Sequence, residues 1–223
     1  MVPIPLRSTE RVYSVAKVTA GLIAVNVAIF LYQVSLPAYE LNRFVTQWGI
    51  VPDQLHLASL FTSMFLHGGW LHILGNMLFL WVFGRNVEDL IGGSRFLLLY
   101  LLCGIAAGVV HVITNPYSPL PTIGASGAIA GVMGAYLVKF PRSHIVTLFP
   151  IIIFFTTLEI PAALLLLYWF GIQFLSGIGS LGEADYTGGG VAWFAHVGGF
   201  IAGAILVKLF PERRRWRTWH SDE

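Results

Sequence analysis

The chain reads as blocks of apolar residues separated by short polar, glycine-rich or proline-rich stretches. The blocks fall at 17–36, 63–83, 96–114, 126–139, 158–177 and 192–209. Most approach the ~20 residues that a helix needs to cross the hydrocarbon of a bilayer. The pattern therefore predicts an all-α membrane protein, a bundle of six transmembrane helices with both termini on the same, cytoplasmic side. Of the connections, 37–62 is long and mixes Trp48, Pro52 and His56 with apolar residues, as in a loop lying partly in the membrane interface. A turn at Gly84–Arg85–Asn86 and the segment to Gly92–Gly93–Ser94 close a short loop before the third span. In 115–123, Pro119 and Pro121 discourage helix until Gly124. Pro150 interrupts the apolar stretch 145–156, which reads as a short interfacial turn before the fifth span. The glycines Gly188–Gly189–Gly190 make 178–191 a flexible loop.

Composition sharpens this reading. Hydrophobic residues make up 56% of the chain and charged ones 11%, with a mean hydropathy of +0.74. A soluble domain of this size carries a far more charged surface. The length suits one membrane domain over 1–223, with short cytoplasmic tails at 1–16 and 210–223. Charge then fixes the orientation. With the N-terminus inside, every one of the 13 Lys and Arg residues except Arg43 falls on or near the cytoplasmic side, as the positive-inside rule requires. An odd number of spans would destroy that asymmetry. Arg7, Arg11 and Lys17 precede the first span as in a signal peptide, but the apolar stretch is too long and lacks a clean cleavage site, so it reads as an anchor. The cluster Arg213–Arg214–Arg215–Trp216–Arg217–Thr218–Trp219 fits a lipid-facing anchor better than a nucleic-acid site. Cys103 is the only cysteine and supports neither a disulfide nor a multi-cysteine metal site.

Polar groups inside a membrane are costly and mark candidate function. The spans carry His67, His72, Asn76, Ser126, Glu159 and His196, with Asn26 a weaker case. Spans two, four and six all run inward. Ser126, His196, His72 and Asn76 therefore fall at similar depth near the extracytoplasmic face. His72 and Asn76, at i and i+4, share a helix face, whereas His67 points elsewhere. His196, Gly199 and Gly203 form one stripe on span six. Ser126, Ala130 and Gly134 form another on span four, with Gly127 and Gly131 beside it. Small residues let membrane helices approach closely, which brings a short serine side chain within reach of a histidine. A neutral His196 can take the Ser126 proton. A helix N-terminus at Ser126, with Asn76 and His72 as donors, can stabilise an oxyanion. Acyl transfer without a metal is the reaction class. Taken singly, the bland readings win: a serine for helix packing, His67 pinning the 37–62 loop, Glu159 in the interface, Asn26 bonding a neighbouring helix. Matched depth and matched faces outweigh them for Ser126 and His196.

The segments HGGWLHILGN (67–76), GASGAIAG (124–131) and AHVGGFIAG (195–203) resemble the rhomboid family, in order and on spans two, four and six. The resemblance covers about 13–210. It implies an intramembrane serine endopeptidase with a Ser126–His196 dyad and no acidic third member. It also implies an oxyanion hole from His72, Asn76 and the Ser126 N–H, with His67, Gly124, Gly127, Gly199 and Gly203 as structural residues near the site. Substrates would be transmembrane helices of other proteins, admitted from the lipid past span five (158–177) beneath a cap at 178–191. The resemblance departs at Ala58 and Ser59, where the family often has Trp–Arg. It departs again at Ala130, where many members carry an aromatic under the histidine; Trp193, Phe194 and Phe200 are then the candidate supports for the ring. No cofactor and no metal are expected, and the lipid bilayer of a prokaryotic plasma membrane is the expected setting. An inactive relative that binds membrane proteins is the alternative. A transporter binding metal through His67, His72 and His196 lacks a fourth ligand.

Overall fold

The computed structural model describes residues 4–151, 154–179 and 192–213. The 178–191 loop from residue 180 onward and the basic cluster beyond Arg213 lie outside the described residues.

Helix α1 (Lys17–Ser35) agrees with the first apolar block. The 37–62 connection, read from sequence as a loop, is largely helical: α2 (Ala38–Trp48) has no buried residue, and α3 (Ser59–Thr62) follows a 3₁₀ turn. The second span departs from its expected bounds of 63–83. Helical structure over Ser59–Phe65 ends at Leu66, and the chain turns through 97° before α4 (Trp70–Phe79). The predicted turn at Gly84–Arg85–Asn86 does not exist. A π-helical turn at Leu80–Gly84 carries α4 directly into α5 (Arg85–Ile91). What ends the helix is Gly92, whose φ of 90° is open to glycine and unfavourable for other residues.

Helices α6 (Gly93–Thr114) and α7 (Ser126–Lys139) match the third and fourth blocks. The expectation of an all-α chain fails at the other end of α7. Strands β2 (His144–Ile151) and β3 (Phe154–Pro161) pair antiparallel, and β1 (Ile4–Ser8) adds to β2, giving a three-stranded sheet in the order β1–β2–β3. Ile145, Val146, Thr147, Thr156, Thr157 and Ile160 are β-branched, which favours extended backbone, and Pro150 and Pro161 oppose helix. The predicted interfacial turn is therefore a strand pair, and Glu159 lies on β3, opposite Val146, rather than in a span. The fifth helix starts correspondingly late, as α8 (Ala162–Gly179). Helix α9 (Trp193–Leu206), continued by a 3₁₀ turn, closes the bundle.

Among the described residues three helices, α1, α6 and α8, are long and apolar enough to cross a membrane, and the bent pair Ser59–Phe65 and Trp70–Ile91 makes a fourth if it is one span. Helices α7 and α9 are shorter and lie inside, where α6, α7 and α9 all pack on one another. Their contact is backbone on backbone. A β-carbon at Gly199 would lie 2.1 Å from the Gly127 carbonyl oxygen, and one at Gly203 1.8 Å from that of Gly131. Beside this contact α7 also meets α6, where a β-carbon at Gly131 would lie 2.3 Å from Cys103 Cβ.

The sheet end of the bundle is tied together by buried polar groups. The Glu88 carboxylate accepts from the N–H groups of Val18 and Thr19 at 2.9 and 2.7 Å and from the Thr19 hydroxyl at 2.7 Å, capping α1. Asp89 accepts from the N–H groups of Tyr13 and Ser14. Tyr136 on α7 bonds Ser8 of β1 at 2.6 Å and Ser143 at 2.9 Å. The segment before α1, read as a short cytoplasmic tail, is in this way built into the fold. Asn26, expected to bond a neighbouring helix, donates to the Leu22 carbonyl of its own and faces Tyr100 of α6.

Candidate active site

The opposite end of α7 carries the site. The chain from Pro121 runs extended into the helix. Thr122 exchanges two backbone hydrogen bonds with Ile50 at 2.9 and 2.8 Å, and the Gly124 N–H donates to the Ser63 carbonyl at 2.9 Å. Gly124 has a φ of 132°, and a β-carbon there would stand 2.8 Å from the His72 ring. Only glycine accommodates both the dihedral and the neighbour. The chain then enters α7 with Ser126 in its first turn, where backbone N–H groups lack helical partners.

Across the close α7–α9 contact, His196 presents Nε2 at 2.7 Å from Ser126 Oγ. The distance is that of a hydroxyl donating to an imidazole lone pair. His196 is buried. Its other nitrogen, Nδ1, lies 2.6 Å from Oε1 of Gln173 on α8, and the Trp169 ring stands 5.8 Å away, tilted by 38°. These two residues support the ring. Of the three aromatics proposed from sequence, Phe200 packs on Trp169 and Phe170 one turn along, and Phe194 packs against Gly177. Ala130, buried on α7, brings no aromatic to the ring, and among the described residues Trp169 is the aromatic that meets it.

His72 Nδ1 accepts the Gly68 N–H at 3.3 Å, which puts the ring proton on Nε2, the atom facing Gly124. Asn76 is one turn further along α4. It is buried, and its Nδ2 has no hydrogen-bond partner among the described residues. His67 was expected to point away from His72 and to pin the 37–62 loop. The rings instead meet edge-on at 5.1 Å, because His67 precedes the first turn of α4 and helical spacing does not govern it. Its backbone is clamped by Gln33 of α1, which accepts the His67 N–H at 3.0 Å and donates to its carbonyl at 3.2 Å.

A cavity of about 540 Å³ joins Ser126, His196, His72 and Gly124 and is lined also by Met64 and His111. His111 of α6 holds Thr122 through a 2.7 Å contact from Nε2 to Oγ1 and so ties down the segment leading to Ser126. Sequence reading passed over His111, Gln173 and Trp169. The first two carried a usable signal, being polar side chains within apolar spans; Trp169 carried none. Among the described residues, no three His, Cys, Asp or Glu side chains gather closely enough to share a metal ion.

Residues 54–213 match the Rhomboid domain family. The chain is 45% identical over 78 residues to the rhomboid protease GluP of Bacillus subtilis, covering 35% of this chain and 15% of that protein. It is 29% identical over 213 residues to the mitochondrial rhomboid protein 1 of Saccharomyces cerevisiae, covering 88% of this chain and 55% of the relative. It is also 32% identical over 163 residues to the inactive rhomboid protein 1 of Homo sapiens, covering 72% and 16%. The chain thus spans between about one seventh and just over half the length of these relatives, which include both a protease and a protein named inactive. With the family match spanning most of the chain and apolar helices long enough to cross a bilayer, this integral membrane protein belongs to the rhomboid family.

Proposed function

We propose that the protein is an intramembrane serine endopeptidase, a single membrane domain over 1–223 with six spans and both termini cytoplasmic, that cleaves transmembrane segments of other proteins near the extracytoplasmic side. The observation that carries this reading is the 2.7 Å contact between Ser126 Oγ and His196 Nε2 within a cavity at the start of a short helix. Helix α7 has 14 residues. At 1.5 Å per residue it is about 21 Å long, shorter than the ~30 Å hydrocarbon core. A span of that length reaching the cytoplasmic face leaves its N-terminus, and Ser126, below the outer surface. The six-span arrangement counts α7 and α9 with the four longer elements.

In the proposed reaction Ser126 Oγ attacks the scissile carbonyl carbon while its proton passes to His196 Nε2. The carbonyl oxygen becomes an oxyanion and accepts from the Ser126 N–H, His72 Nε2–H and Asn76 Nδ2. The unpartnered, buried Asn76 amide supports this assignment, since a buried donor without an acceptor is costly. As the tetrahedral species collapses, the C–N bond breaks and the imidazolium gives its proton to the leaving amine. Water, deprotonated by His196, then attacks the acyl-serine and releases the new carboxylate. His67, Gly124, Gly127, Gly199 and Gly203 hold the parts in place. Substrate helices would enter beside α8, whose Leu164, Leu167 and Leu175 are exposed, beneath the 178–191 cap. At 45% against 29%, the bacterial relative shares more identity over its aligned stretch than the yeast mitochondrial one, which favours a prokaryotic plasma membrane. The second reading, an inactive binder of membrane proteins, is favoured only by the similarity to the inactive rhomboid protein.

The test incubates a transmembrane reporter in detergent with wild type and with Ser126→Ala. A fluorophosphonate probe and mass spectrometry locate the reactive serine. Cleavage by wild type alone, insensitive to EDTA, with the label on Ser126, is expected. Equal cleavage by both, or by neither, refutes the protease reading, and loss with EDTA restored by zinc refutes the metal-free mechanism.

A further inference from the structure

A base that takes a proton through Nε2 must carry its own proton on Nδ1. In a neutral imidazole the tautomer is set by the hydrogen bond that the far nitrogen makes. In His196 the far nitrogen faces Gln173 Oε1 at 2.6 Å. An amide oxygen only accepts, so this contact requires Nδ1–H and leaves the Nε2 lone pair directed at Ser126 Oγ.

We propose that Gln173 is a positioning residue that locks His196 in the tautomer able to accept the Ser126 proton. It takes the part that a carboxylate plays in three-membered serine protease sites. The inference rests on the protease reading above. Its structural basis is the face that α8 presents to α9. Leu166, Trp169, Gln173 and Gly177 recur at helical spacing on that face. Trp169 stands against the His196 ring, Phe170 lies 4.8 Å from Phe200, and Gly177 makes room for Phe194, since a β-carbon there would stand 3.1 Å from its ring. This packing fixes the depth at which Gln173 meets the histidine. It also answers Ala130, because the support absent from the α7 side arrives from α8. The residue type fits its location as well. A buried amide needs one good partner to offset its desolvation, whereas a carboxylate among apolar helices costs far more, and Gln173 is only 7% exposed. Because α8 is the proposed gate, the orientation of the base depends on that helix staying docked on α9.

The test combines two measurements on the full chain in detergent. Nitrogen-15 NMR of histidine-labelled protein at neutral pH reads the His196 tautomer in wild type, Gln173→Leu and Gln173→Glu. Reporter cleavage gives kcat and KM for the same three. Wild type is expected to show a proton on Nδ1, and Gln173→Leu a mixture of tautomers. The Leu variant is expected to lose about ten- to a hundredfold in kcat with KM within about twofold. Gln173→Glu, which restores an acceptor, is expected to recover the single tautomer and most of the kcat. A wild-type ring protonated on Nε2, or an unchanged kcat in Gln173→Leu, overturns the proposal. If wild type cleaves nothing, the protease reading fails, while the wild-type spectrum still decides the Gln173 contact. The same spectrum decides it if the Leu variant does not fold.

Discussion

Replacing Gly199 with alanine tests the geometric core of the proposed site. A β-carbon at Gly199 would sit 2.1 Å from the Gly127 carbonyl oxygen. Carbon and oxygen that are not bonded approach to about 3.3 Å, so α7 and α9 must separate locally by about 1 Å or more. The oxygen is main-chain and lies in a helix, so no side chain can rotate away instead. Gly127 is the neighbour of Ser126, and Gly199 is one turn from His196; the separation therefore falls largely on the Ser126–His196 contact. Stretched from 2.7 Å by that amount, the pair leaves hydrogen-bonding range. Misplacement of a catalytic pair by about 1 Å costs on the order of a hundredfold in rate. The overpacking itself costs about 1–3 kcal/mol in stability. The assay is the initial rate of fluorophosphonate labelling of Ser126, measured beside thermal unfolding in the same detergent. Gly21→Ala is the control: nothing lies within 4 Å of a β-carbon there, and alanine in a helix is favoured over glycine by about 0.5–1 kcal/mol. Gly199→Ala is expected to label on the order of a hundredfold more slowly while Gly21→Ala labels like wild type. Wild-type labelling by a folded Gly199→Ala, or an equal loss in Gly21→Ala, refutes the reasoning.

Two further outcomes follow from the same geometry. Glu88→Gln keeps the shape but removes the charge from a buried carboxylate that accepts three hydrogen bonds at the start of α1; it is expected to lower stability by about 2 kcal/mol in a denaturant titration, with the labelling rate per folded molecule unchanged, and undiminished stability would contradict the capping role. Acidification is expected to slow the single-turnover cleavage step, because the form of His196 that gains population as pH falls is the imidazolium, which has no lone pair for the Ser126 proton; a rate that rises as pH falls would exclude His196 as the base.

The bundle helices were legible because bilayer length and hydropathy constrain each one locally, and α1, α6 and α7 begin or end within a few residues of the apolar blocks. The pairing of Ser126 with His196 was legible as well. Polar groups rarely occur in spans without a partner, alternating helix direction sets their depth, and the glycines at 127, 131, 199 and 203 permit a close α7–α9 crossing. The sheet was missed because a short apolar stretch around Pro150 reads equally as an interfacial turn until β1, more than 130 residues earlier, supplies a third strand. The contact of Gln173 with His196, the clamp of Gln33 on His67 and the hold of His111 on Thr122 depend on how neighbouring helices rotate about their axes and on where a bend interrupts them. Sequence by itself determined which groups lie at one depth. Only the tertiary structure decided which of them touch, because rotation of one packed helix against another is set by the summed fit of both faces and not by the residues of either.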